Sequence, residues 1–235
     1  MIQFYAPDIA INPILPESDS QHCVRVLRMK EGDTLEVIDG KGHRYTCRLI
    51  EAHAKRAHVE IIEKQDVPLS WQNNITIAVA PTKHLDRMEW MVEKLTEIGV
   101  NRIIPLLCRY SERKELKIER LEKIAISAMK QSLKTVLPII DVMTPIKDVI
   151  TKQMYDQRFI AYCDTSIPRK LLSAEYRANK DTLILIGPEG DFSTEEINLA
   201  LNSGYNPISL GDNRLRTETA AVVACDTCHI INQLS

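Results

Sequence analysis

The stretch Thr182-Leu183-Ile184-Leu185-Ile186-Gly187-Pro188-Glu189-Gly190-Asp191-Phe192-Ser193 decides the fold of this chain. An apolar strand runs into a turn with glycines on both sides of Pro-Glu, and a helix then begins. Ser193 and Glu196 have the spacing of a capping box, which marks the helix start. Glycines in such a turn let backbone amides approach a ligand, and the C-terminal ends of strands are where α/β sheets bind ligands. Taken alone, the same residues also make a tight strand–helix turn with no ligand. A second stretch, Leu210-Gly211-Asp212-Asn213-Arg214-Leu215-Arg216-Thr217-Glu218-Thr219-Ala220, repeats the arrangement after another apolar run. Its arginines and its glutamate are costly to bury unpaired, so they pair, contact a ligand or face solvent. Arg216 and Glu218 could bridge each other. Two Gly-bearing loops after successive strands favour one shared pocket.

Outward from these loops, residues 75–80, 103–107, 158–162, 182–186 and 207–210 read as short buried strands. Helices are predicted over 85–98, 118–133, 194–202 and 217–232. Strands of this kind alternating with helices predict an α/β domain with a mainly parallel sheet. The first 65 residues read differently. A helix over about 18–29 precedes strands over 34–39, 44–50 and 58–64, separated by Gly or charged turns, which predicts a small barrel or meander. Residues 65–74, with Pro68 and polar neighbours, are the best linker candidate, so the expected domains are 1–70 and 71–235.

The chain has 235 residues, 44% hydrophobic and 26% charged, with a formal net charge of −2. That composition excludes global disorder, collagen-like repeats and a polytopic membrane protein. No apolar run approaches the roughly 20 residues that span a bilayer. The start lacks a basic stretch followed by an apolar one, so a cytoplasmic protein with reduced thiols is expected. Residues 102–134 hold 9 basic and 4 acidic side chains, net +5, which suits either an anionic partner or a solvated helix face. Cys225-Asp226-Thr227-Cys228-His229 matches a haem-attachment pattern, but it sits in an apolar helix with no second ligand pair. These cysteines are read as core residues, and no metal is expected.

Gly187-Pro188-Glu189-Gly190 together with Leu210-Gly211-x-x-x-Leu215-Arg216-x-Glu218-Thr219-Ala220 resembles the signature of the RsmE family. Other segments resemble that family in the right order: His22-x-x-Arg25-Val26-Leu27-Arg28, Thr96-Glu97-Ile98-Gly99-Val100, Tyr110-Ser111-Glu112-Arg113, and Gln131-Ser132 followed by Pro138. Three positions depart from it, one of them Lys134 or Thr135, which stands near where the family usually has arginine. Asp191 stands where the family usually has a second glycine, and Lys130 stands where it usually has glutamate.

The resemblance implies a SPOUT-class methyltransferase that uses S-adenosyl-L-methionine to methylate N3 of a uridine in small-subunit ribosomal RNA. It implies a C-terminal SPOUT-type α/β domain with a deep trefoil knot, preceded by a small PUA-like β-barrel that binds RNA. It also implies a homodimer, acting on the RNA or on the assembled small ribosomal subunit, with no membrane partner. The knot loops would be about 163–165, 186–190 and 210–220. Ile186, Gly187, Pro188, Gly190, Leu210, Gly211, Leu215 and Thr219 would hold the cofactor. Arg216, Glu218 and Glu189 are the catalytic candidates: the arginine would stabilise charge on the uracil oxygens, and the glutamates would serve as base or orient it. Arg25, Arg28, Arg109, Arg113, Lys130 and Lys134 are the candidate RNA contacts. The rival readings are a non-catalytic RNA-binding or ribosome-assembly protein with this fold, and a small-molecule α/β enzyme. The second is weakened because no Gly-x-Gly-x-x-Gly or phosphate-loop motif occurs.

Overall fold

A computed structural model describes residues 2–152, 154–163 and 168–235. The chain divides into two compact units. The first comprises Met1–Ser70 and Ile126–Leu137, and the second Trp71–Ala125 and Pro138–Ser235.

In the first unit, β1 (Gln3–Tyr5) runs parallel to β2 (Thr34–Ile38), and β2, β3 (His43–Glu51) and β4 (His58–Asp66) follow as an antiparallel meander. The sequence reading missed β1, which is too short to show an alternating pattern. The ladder order is β1-β2-β3-β4 and does not return from β4 to β1 among the described residues, so strand pairing alone closes no barrel. The register slips at Thr46/Cys47 and Leu49/Glu51, and such slips bend a strand. Phe4, Val37, Cys47 and Leu49 form the core with Ile9, Leu15 and Cys23.

The predicted helix over 18–29 is broken. An α-helix α1 (Glu17–Gln21) passes into a π-helical turn, His22–Val26, and Arg28 takes φ 55 beyond its end. Residues 65–74 are pinned rather than free. Val67 N–H donates to the Gly42 carbonyl, and the Thr135 hydroxyl donates to the Val67 carbonyl at 2.7 Å. In the second unit, Trp71 Nε1 donates to Asn101 Oδ1 at 2.9 Å.

The β2–β3 turn is built around Asp39, whose side chain is 6% exposed. Its carboxylate lies 2.6 Å from His43 Nδ1 and accepts the Lys41 and His43 backbone N–H groups. Burial pushes the Asp39 pKa up, but these hydrogen bonds outweigh it and hold the group below its ordinary value. A carboxyl depressed in the folded state stabilises the fold above its unfolded pKa, about 4, and loses that contribution as pH falls through the folded value. Asp39→Asn is therefore expected to lower the urea midpoint at pH 7, with the gap to wild type narrowing below about pH 4. A gap that persists unchanged at pH 3 would show that charge is not the cause.

In the second unit every strand pairing is parallel. The strands are β5 (Ile75–Val79), β6 (Arg102–Leu107), β7 (Ile139–Ile140), β8 (Thr144–Pro145), β9 (Gln157–Ala161), β10 (Lys170–Leu171), β11 (Thr182–Ile186) and β12 (Asn206–Ser209). Their order is β10-β12-β9-β11-β5-β6-β7, with β8 on β6. The helices are α2 (Leu85–Ile98), α3 (Ile118–Gln131), α4 (Ile146–Lys152), α5 (Leu172–Glu175), α6 (Thr194–Asn202) and α7 (Thr217–Leu234). All five residues of β5 and of β11 are buried, as strands covered on both faces must be. Ala78, Ile104, Ile160, Leu183 and Leu185 share one core with Val149 of α4 and Ile197 of α6. Helix α7 packs on β5, β11 and α2. No helix among the described residues is long and apolar enough to cross a membrane.

The Cys-x-x-Cys-His segment lies on the buried side of α7. Cys225 and Cys228 are fully buried, and burial pushes the Cys228 thiol up to about 12. His229 sits edge-on to Trp71, with Nε2 3.0 Å from the Gly99 carbonyl.

Candidate active site

Strands β9, β11 and β12 are neighbours and run the same way, so their C-terminal loops emerge side by side. Those loops, the first turn of α7 and Arg87 of α2 enclose a cleft of about 340 Å³. The position is the one expected for a ligand in an open parallel sheet, and the volume lies in the range of small-molecule sites.

Local chemistry fixes each wall. A Cβ on Gly187 would lie 3.2 Å from the Phe192 ring, so only glycine fits without displacing that ring. The carbonyl of Pro188 accepts the Asp191 N–H at 2.9 Å, and Asp191 takes φ 65 to complete the turn. Helix α6 then begins with a full capping box: Ser193 Oγ accepts the Glu196 N–H, and Glu196 Oε2 accepts the Ser193 N–H at 2.8 Å. Glu196 does a second job that its sequence did not signal, because its Oε1 accepts the Arg109 N–H at 2.8 Å. The Thr217 hydroxyl donates to the Gly187 carbonyl at 3.0 Å, tying the start of α7 to the β11 loop.

Ile186, Gly187, Pro188, Glu189, Leu210, Gly211, Leu215, Arg216 and Glu218 all line the cleft. Two expected members do not. Gly190 faces Tyr110, whose Cβ would lie 3.2 Å from an added methyl, and Thr219, in the first turn of α7, is not among the lining residues. Sequence reasoning missed Arg87 and Arg169, because nothing in local patterning reveals which distant side chains reach a loop; Arg214 and Thr217 lie within the expected loop 210–220 but were not singled out. Of the expected loop 163–165, only Cys163 is described, and it lies on the cleft.

The charges do not form the Arg216–Glu218 bridge that the sequence left open. Glu218, 8% exposed, pairs instead with Arg87, whose Nε is 3.7 Å from Oε1. Arg169 donates to the Tyr162 carbonyl and stacks over the Tyr162 ring at 5.6 Å. Glu189 is exposed, and its Oε1 accepts the Lys83 N–H at 3.0 Å. Arg216 is exposed on the cleft and makes no side-chain ion pair or hydrogen bond among the described residues.

The six candidate RNA contacts divide between the units. Arg25, Arg28, Lys130 and Lys134 lie in the first and Arg109 and Arg113 in the second. Arg28 is not on a helix but past its end. Arg113 is spent on backbone, with Nη2 donating to the Lys83 carbonyl at 2.7 Å. Lys130 is also committed: its Nζ lies 2.6 Å from Oδ1 of Asp19, which is 7% exposed. A lysine neutralising a buried carboxylate is a structural group rather than a free phosphate ligand. Lys130→Ala is expected to cost about 1–3 kcal/mol by leaving Asp19 without its cation. Urea unfolding of Lys130→Ala, Asp19→Asn and the double variant checks this, and strict additivity of the two costs would disprove the pairing.

Comparison with known proteins follows the same two-part layout. The RNA methyltransferase domain family matches residues 70–229, and the RNA methyltransferase PUA domain family matches residues 15–62. The ribosomal RNA small subunit methyltransferase E of Rickettsia conorii is 31% identical over 200 residues, covering 85% of this chain and 81% of that protein. The crystal structure of a "probable rRNA-methyltransferase" from Porphyromonas gingivalis superposes with a TM-score of 0.95 at 46% identity, covering 100% of this chain and 99% of that one. The ribosomal RNA small subunit methyltransferase E of Neisseria gonorrhoeae, solved bound to S-adenosyl methionine, gives a TM-score of 0.84 at 26% identity, covering 100% of this chain and 98% of that one.

Proposed function

The chain belongs to the ribosomal RNA small subunit methyltransferase E family, and from that premise we propose that it methylates N3 of a uridine in small-subunit ribosomal RNA with S-adenosyl-L-methionine. The observation that carries this reading is the cleft, where glycine-bearing loops after β11 and β12 meet an Arg216 side chain that is unpaired among the described residues. The cleft suits the cofactor. Ile186, Pro188, Leu210 and Leu215 offer apolar surface for a flat base, and Gly211, with nothing within 4 Å of an added Cβ, leaves its backbone open to a ligand. Bound S-adenosyl-L-methionine supplies an electrophilic sulfonium methyl.

The chain's own residues do the rest. Arg216 addresses a uracil carbonyl and stabilises the charge that appears there when the imide proton leaves. Glu189 is the favoured proton acceptor, because it is exposed on the cleft and only its Oε1 is engaged, by a backbone N–H. Glu218 serves instead to hold Arg87 in place, since it is buried and already paired. Holding both reactants in line accounts for much of the remaining acceleration.

The finer features are proposed on the same basis. The N-terminal unit binds RNA, using Arg25 and Arg28, and Arg109 is a separate candidate contact on the second unit; all three are exposed. The second unit carries the cofactor site and a homodimer interface, and sedimentation of the purified chain tests the dimer. A deep trefoil knot is supported by the strand order, in which β12 lies outside β9 while α7 returns to β5 and β11. The enzyme works in the cytoplasm on the RNA or the assembled subunit. Small subunits lacking their native methylation, incubated with the enzyme and labelled cofactor, are expected to gain N3-methyluridine on nucleoside analysis. A folded protein that binds cofactor but labels neither subunits nor free RNA would favour the non-catalytic reading.

A further inference from the structure

Asp191 occupies a backbone conformation that L residues rarely adopt, φ 65, at the position where the resembled pattern has glycine. Both oxygens of its carboxylate are engaged. Oδ2 accepts the Cys163 N–H at 2.7 Å, and Oδ1 accepts the Phe192 N–H at 2.8 Å. Cys163 lies just beyond β9, and Asp191 lies in the loop after β11. The two strands are paired, with Ala161 opposite Ile186, so the loops leave the sheet side by side. Both residues line the cleft. The carboxylate also sits close under Gly187, where an added Cβ would be 3.4 Å from Oδ1.

We propose that Asp191 is a positioning residue that clasps the Cys163 backbone, just beyond β9, to the β11 loop and so sets the width of the cofactor cleft before the cofactor arrives. The inference rests on the reading of the cleft as the S-adenosyl-L-methionine site. A glycine at 191 would fold the turn with less backbone strain, so the aspartate's contribution lies in the bond it sends to the neighbouring loop. Without that bond, the Cys163 backbone must be fixed during binding, and that cost weakens affinity.

The test uses the full chain and calorimetric titration with S-adenosyl-L-methionine. Asp191→Gly is expected to keep or raise the melting temperature, because glycine suits φ 65. It should nonetheless bind cofactor about tenfold more weakly, the scale of one lost charge-assisted hydrogen bond. In turnover the loss should appear in KM for the cofactor with kcat nearly unchanged, and the Cys163 amide should exchange faster with solvent. Asp191→Asn, which retains one carbonyl acceptor, should fall between the two. A merely structural role would lower stability in Asp191→Gly and spare the affinity of the folded fraction. Asp191→Gly binding as tightly as a wild type that does bind would overturn the clasp alone. A wild type that binds no cofactor would overturn the reading of the cleft, and the clasp's purpose with it.

Discussion

Arg216→Ala is expected to slow methyl transfer by roughly 10²–10³-fold, the usual consequence of removing one preorganised donor from a developing charge. The expectation is specific because the backbone role of Arg216 survives the change. It is the N-cap of α7 in extended conformation, its carbonyl accepts the Ala220 N–H at 2.8 Å, and its side chain makes no cap. Alanine keeps that carbonyl bond, so the melting temperature should stay close to wild type. Glu218 is paired with Arg87, so the substitution strands no buried charge. Cofactor affinity should change little, and the loss should fall on kcat. Arg216→Lys should recover part of the rate, since it keeps the charge and loses the planar fork. Full activity in Arg216→Ala would remove this residue from the catalytic set. A loss confined to cofactor affinity would move its role from the uracil to the cofactor.

The same site shows which physical signals a sequence carries. Strand β11, the turn at Gly187, the capping box at Ser193 and the second loop at Gly211 were legible because each is a local demand. Burial sets an apolar run, a tight approach demands glycine, and an orphan helix N–H calls for a side-chain oxygen. The partners of charged residues were not legible. Glu218 faces Arg87 rather than its near neighbour Arg216, and Lys130 reaches Asp19, 111 positions away. Charge periodicity on the helix around Lys130 looks the same whether a lysine faces water or a buried carboxylate. Packing also regrouped residues 126–137 with the N-terminal unit, a choice made by contacts such as Thr135 to Val67 that no local pattern encodes. Asp191 was visible as a departure, but its meaning required both its φ and its reach to Cys163.

Gly99→Ala should be the most damaging small substitution in the second unit. Gly99 closes α2 with φ 130, and its N–H donates to the Leu95 carbonyl at 2.9 Å. An added Cβ would lie 2.5 Å from Trp71 Cη2 and 3.0 Å from His229 Nε2. Neither ring can simply swing aside. Trp71 is held by its hydrogen bond to Asn101, and His229 by the Gly99 carbonyl itself. Backbone strain and overpacking together cost about 3 kcal/mol, which for a chain of this size lowers the melting temperature by roughly 6–12 °C. Gly32→Ala separates the two causes, because Gly32 has φ 94 with nothing within 4 Å of an added Cβ. It should cost only the backbone share, about 1–2 kcal/mol. Trp71→Leu in the Gly99→Ala background should recover part of the loss, since it removes the ring atom that the new methyl meets. If Gly99→Ala and Gly32→Ala cost the same, the Trp71 contact contributes nothing and backbone strain alone explains the glycine. If the double variant is less stable than the sum of its parts, the ring and the methyl were never in conflict.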